Sequence, residues 1–465
     1  MKNKVLAAIL TASMVTGLLA GCGVSTSSAP AEGAAEASTA ESGAEGAADA
    51  AADSTAAADT GDKPYSGVTL TLWGAGAEIA DNDGTQKLLA KATEELGMTF
   101  EVETNPTGTE GDNIIKTRCA SGDLPDLVDY NSGSLFTALN PKEHFLDITD
   151  EPMTANFDEA FKSCVSQEGR VYGAPFTTTQ AGAVVYWKPD YEELGLSVPK
   201  TWDEFLANCD ALEKAGKTAV YMSGGDTWTT QVLFLGDNYN VNAANPNFAQ
   251  EFTEGKAKFA TTPAALAGWK KYEDLVGRYN ADSSAAKYED GCEAMAKGEA
   301  THWFILTQAI ASMIQNHPEC KENIGVFGVP GDDANNAGLT VWEPNGWYIN
   351  KDSANIEAAK AFLEFWTSPE NLDIYIETFG ANGPSCIKGY TLPESVCPAV
   401  REDMQSFFDD NKTCPALEYQ TSIKGATCEQ ITTSAATGQI SGEEAAKMYD
   451  DDCKKSAVQQ GFNWQ

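Results

Sequence analysis

The sequence predicts an α/β protein. Two observations carry that expectation. Short stretches rich in β-formers alternate along the chain with amphipathic helical stretches. The 465 residues, 42% apolar and 9% aromatic, also supply core for two or three domain-sized units. Residues 68–73 alternate and read as the first strand. A helix follows over 86–96, with Leu88, Leu89, Ala92 and Leu96 on one side and Gly97 as its stop. Residues 99–103, 126–130 and 183–187 read as further strands. Thr201 and Glu204 form a capping box that starts a helix through Phe205, Cys209 and Leu212, ending at Gly216. Residues 218–222 are strand-like, and Thr262-Pro263 opens a helix through Leu266, Trp269, Leu275 and Tyr279, because proline suits the first helical position. Residues 353–366 and 368–379 pattern as two more helices, and Ser441 with Glu444 caps the last one. In such a fold, ligands sit at the carboxyl ends of strands.

The first 21 residues read as an address. Lys2 and Lys4 precede an apolar run over 5–19 that is short for a bilayer span, and Leu19-Ala20-Gly21-Cys22 follows. Small residues before a cysteine resemble a bacterial lipobox, which implies cleavage before Cys22, its lipidation, and anchoring to the outer face of the cell membrane. Residues 22–64 then form an acidic tether of Ala, Gly, Ser, Thr, Glu and Asp, with too little apolar surface to offset its ordering entropy. The formal net charge is −37 at pH 7, which excludes nucleic acid and anionic lipid surfaces as ligands. With three histidines, a histidine-built metal or catalytic site is not expected, and neither is a cofactor. Besides Cys22 there are ten cysteines without a compact disulfide spacing. They read mainly as small buried residues, with one or two bridges open in the cluster from Cys386 to Cys453.

Known catalytic and nucleotide motifs are broken. The loop from Gly74 begins like a dinucleotide fingerprint but carries Ile79 where the third glycine belongs. Gly216-Lys-Thr218 ends a helix instead of opening one, and Asp81-Asn-Asp-Gly84 is half a calcium loop. The tryptophans carry more information. An indole face stacks on the apolar C–H face of a sugar ring while nearby Asp, Asn and Glu side chains bond the hydroxyls. Trp202, Trp269 and Trp366 stand at helical spacing and are expected in the core. The candidate ligand-binding set is Trp73, Glu78, Asn131, Asp226, Trp228, Trp303, Phe304, Glu343, Asn345 and Trp347. Asp226 lies two residues before Trp228, and Asn345 two before Trp347, which on extended backbone puts acceptor and ring on one side.

A series of blocks then resembles one family. Ala120-Ser-Gly-Asp-Leu-Pro-Asp126, Gly169-Arg-Val-Tyr-Gly-Ala-Pro-Phe176, Val185-Tyr-Trp-Lys-Pro-Asp190, Pro199-Lys-Thr-Trp-Asp-Glu-Phe205, Pro344-Asn-Gly-Trp-Tyr-Ile349 and Thr367-Ser-Pro-Glu370 resemble, in order, the family 1 extracellular solute-binding proteins of ABC importers. The resemblance implies a two-lobed, periplasmic-binding-protein-like type II fold with a ligand cleft between the lobes. Lobe 1 is expected at 65–182 plus 347–385 and lobe 2 at 183–346 plus 386–465. It implies a carbohydrate, an oligosaccharide above all, captured without catalysis by a monomer and handed to ABC permease subunits. One departure stands out: the family's stacking tryptophan falls at Thr307, leaving Trp303 or Phe304 as replacements. Alternative readings are a polyamine or polyol phosphate binder, or a surface glycoside hydrolase.

Overall fold

The computed structural model describes residues 63–106 and 109–464. The expected signal segment, Cys22 and the tether up to residue 62 lie outside them. In chain order the strands are β1 Thr69–Ala75, β2 Thr99–Asn105, β3 Leu127–Tyr130, β4 Ser166–Gln167, β5 Arg170–Val171, β6 Gly173–Pro175 and β7 Gln180–Trp187. They continue as β8 Val220–Tyr221, β9 His302–Leu306, β10 Ile324–Gly328, β11 Leu339–Trp342, β12 Gly346–Ile349 and β13 Thr413–Pro415.

These strands form two mixed sheets and one small ribbon, β4 with β5. The first sheet runs β2-β1-β3-β12-β6, with β1 parallel to β2 and β3, and β12 antiparallel to β3 and β6. The second runs β13-β11-β7-β9-β8, with β10 also paired to β7. Strand β7 is long enough to take β11 at Gln180–Gly182 and β10 at Ala183–Trp187, both antiparallel. Its sequence is almost continuously apolar, as a strand covered on both faces requires, and residues 181–186 are buried.

Local chemistry places the helices that cover these sheets. Asn82 caps the helix Asp83–Leu96 by accepting the Thr85 N–H at 3.0 Å, and Gly97 ends it at φ 84°, a conformation that costs glycine least. Thr201 and Ser441 cap Trp202–Lys214 and Gly442–Gln459 through the N–H groups of Glu204 and Glu444. Trp202, Trp269 and Trp366 are core residues, as helical spacing requires. Asp237 and Lys271 pair at full burial, and the Lys271 ammonium lies 5.1 Å from the Trp202 ring. All ten cysteines in the described residues are buried free thiols, and burial raises those whose pKa shifts. Among the described residues no helix is long and apolar enough to cross a membrane.

Candidate functional site

The chain passes between the sheets at two short places. It leaves the first sheet at Pro175, runs through residues 176–179, and enters the second at Gln180. It returns from Trp342 through Glu343-Pro344-Asn345 to Gly346. A third segment runs beside the first crossing. There the Asn382 N–H donates to Thr178 Oγ1 at 3.1 Å, and the Thr179 N–H donates to the Pro384 carbonyl at 2.9 Å. A cavity of about 390 Å³ opens at these segments. Its volume falls in the range of small-molecule sites.

The lining is dominated by uncharged polar groups: Asn131, Ser132, Ser134, Thr177, Thr178, Gln180, Gln308, Asn345 and Asn382. Trp342 and Tyr419 add aromatic surface, and Glu78, Glu343 and Glu418 add carboxylates. Lys424 is the one cation in this lining, and it is paired with Glu418 at 2.6 Å. The Trp342 indole N–H also donates to Glu418, which fixes the ring's tilt. The ring lies against Gly182, where a Cβ would come within 2.9 Å of it, so glycine is what admits the indole there. Asn345 donates to the Glu78 carboxylate at 3.0 Å. Glu343 is buried at the return crossing. Its carboxyl is met by the Cys386 thiol at 3.5 Å, and its carbonyl by the Tyr419 hydroxyl at 2.9 Å. Burial, with Asp158 nearby, pushes the Glu343 carboxyl up to about 8, so it is mostly neutral at neutral pH.

Of the sequence-predicted residues, the cavity brings together Glu78, Asn131, Glu343 and Asn345. The others stand elsewhere. Trp347 is fully buried, with Phe176 at 5.2 Å and Trp366 at 5.6 Å between ring centroids, so no face is left for a ligand. The two-residue spacing from Asn345 misleads because Asn345 precedes β12 and does not share its pleat. Trp303 is packed on Tyr221 and Tyr288 above Gly291, and Phe304 against Phe205; both are buried in β9. Trp73 is likewise buried in β1. Asp226 and Trp228 lie on a tight turn, not on extended backbone. The Asp226 carboxylate accepts the Tyr288 N–H at 2.8 Å, and Trp228, half-buried, packs on the Tyr288 ring. Thr307 is buried and its hydroxyl accepts the Ala181 N–H at 2.9 Å. The aromatic surface in the cavity comes instead from Trp342 and Tyr419. Trp342 had a visible signal, a tryptophan ending a strand just before a Pro-Asn-Gly turn, whereas Tyr419 had none. Among the described residues no cluster of His, Cys, Asp and Glu is placed to hold a metal ion.

Comparison with known proteins agrees with this architecture. Residues 87–396 match the family model described as bacterial extracellular solute-binding protein. A multiple sugar-binding protein of Streptococcus mutans is 25% identical over 338 residues, 70% of this chain and 74% of its own length. A melibiose/raffinose/stachyose-binding protein of Bacillus subtilis is 24% identical over 333 residues, 68% of this chain and 73% of its own. The solved apo form of RafE from Streptococcus pneumoniae superposes with a TM-score of 0.70 at 21% identity, covering 85% of this chain and 99% of that one. Two mixed sheets joined by crossings that line a cavity, together with a family match over most of the folded chain, identify the protein as a member of the bacterial extracellular solute-binding proteins, a non-catalytic family.

Proposed function

We propose that the protein captures an oligosaccharide outside the cell and delivers it to the permease of an ABC importer. The observation that carries this reading is the lining of the 390 Å³ cavity, in which amides and hydroxyls outnumber charges and the Trp342 ring is fixed beside them. Amide and hydroxyl side chains both donate and accept, as sugar hydroxyls do, and an indole suits the apolar face of a pyranose ring. The relatives named for sugars support it. A polyol phosphate fits less well, since no arginine lines the cavity and its lysine is already paired.

The mechanism follows from connectivity. The two sheets are the cores of two lobes, split close to residues 182 and 346, and the crossings act as their hinge. Ligand bound by both lobes shifts the population toward the closed form, because only there does it contact both. Lipidation at Cys22 holds the receptor on the outer face of the membrane, beside the permease. Calorimetric titration with raffinose, stachyose and diacetylchitobiose, followed by chromatography of the recovered sugar, tests the reading. Saturable binding of at least one sugar, recovered intact, is the expected result. Binding by none of them, or cleavage of the sugar, overturns it.

A further inference from the structure

Beside the main cavity lies a smaller one of about 170 Å³, which shares Glu78, Asn131 and Asn345 with it. Asp112 and Asp129 also line this recess, and no lysine, arginine or histidine does. Asp129 is 2% exposed, and neither of its carboxyl oxygens has a hydrogen-bond partner. Burial raises its pKa first, the Glu78 carboxyl beside it raises it further, and the neighbouring Asn345 amide lowers it. Asn105 Oδ1, on the rim of the same recess, is buried and unpartnered as well. Asp112 is occupied on one oxygen by the Tyr130 hydroxyl at 2.8 Å.

We propose that this recess is a cation subsite that takes a protonated primary amine of the bound solute, as on an amino sugar. The inference rests on the oligosaccharide reading of the adjoining cavity and adds the chemical class of one substituent. A neutral hydroxyl donates one hydrogen and leaves the remaining acceptors of a buried carboxylate bare. An ammonium donates three and also balances the charge. The recess supplies acceptors in excess and no cation of its own. Without ligand, burial and then the neighbouring Glu78 push the Asp129 carboxyl well above the usual carboxylate range, so it keeps a proton. Tyr348 and Tyr375 face the same group and bring no positive charge. An arriving ammonium favours the ionised form, so binding of an amine releases that proton to solvent, while binding of a neutral sugar does not.

The test compares chitobiose, whose two sugars carry free amines, with its neutral diacetylated form, and adds raffinose and putrescine. Titration at mildly acidic pH, in two buffers of different ionisation heat, reads affinity and proton release together. The expected result is a preference of about tenfold or more for chitobiose over the diacetylated form, with protons released, both lost in Asp129→Asn. If Asp129→Asn does not fold, Glu78→Gln is held to the same outcome. Binding of diacetylchitobiose or raffinose at least as tight as chitobiose overturns the subsite and leaves the oligosaccharide reading standing. Binding of putrescine but no sugar supports the subsite and overturns the oligosaccharide reading. Binding of no probe overturns both.

Discussion

Glu343 departs far from the ordinary behaviour of its residue type. Its carboxyl sits at the return crossing with a thiol as its side-chain partner, and its folded pKa of about 8 exceeds the ordinary 4.5. Between those two values the folded protein holds a proton that the unfolded chain has lost. Its stability therefore falls as pH rises through that window. In Glu343→Gln this contribution disappears, and the melting temperature should vary less between pH 4.5 and about 8 than in the parent. The two tryptophans around this residue separate by role. Trp347 fills the core, so Trp347→Ala should cost about 3–5 kcal/mol by denaturant titration. Its indole N–H is buried without a partner, so Trp347→Phe should cost far less, because the ring volume is largely kept and an unpaired donor is removed. Trp342, 7% exposed and lining the cavity, has both a core and a binding role, so Trp342→Ala should weaken sugar binding about tenfold or more by calorimetry and lower stability as well.

The crossing segments set the position of the site more than any helix does. Gly182, near the start of β7, is the point where the missing Cβ lets both the Trp342 ring and the Gly236 backbone come close. Gly182→Ala should displace the indole, lowering both sugar affinity and melting temperature, while the circular dichroism spectrum stays that of an α/β protein. This element also marks what was legible in the sequence. Helices at 202–214 and 442–459 were readable because their caps are local: Thr201 and Ser441 each bond an N–H three residues on. The helix expected from 86 starts at Asp83 instead, because Asn82 caps it. Strand β7 was readable from its apolar run. On the polar half of the cavity lining, only Glu78, Asn131, Glu343 and Asn345 are residues that the sequence singles out, as polar groups at strand ends and turns. The aromatic half was not. Whether a tryptophan faces core or cavity depends on the residue at which a strand begins and on what packs behind it, and neither is local. Trp347 and Trp303 went to the core for that reason, and Tyr419 reached the cavity from a distant segment near the C-terminus.

At the scale of the molecule, a formal net charge of −37 makes copies of the chain repel one another, and the two sheets are joined by the crossing segments. If the crossings are a hinge, saturating sugar should reduce the radius of gyration in solution X-ray scattering, and an unchanged radius alongside proven binding would exclude large closure. In the proposed function the solute binds at the cavity lined by both crossings. Amide hydrogen exchange, followed by mass spectrometry with and without the tightest-binding oligosaccharide of the panel, tests it most directly. Protection gained on binding should concentrate in residues 131–135, 177–182, 342–346 and 418–424, on both sides of the cavity at once. Protection confined to one sheet, or gained elsewhere with these segments unchanged, would contradict it.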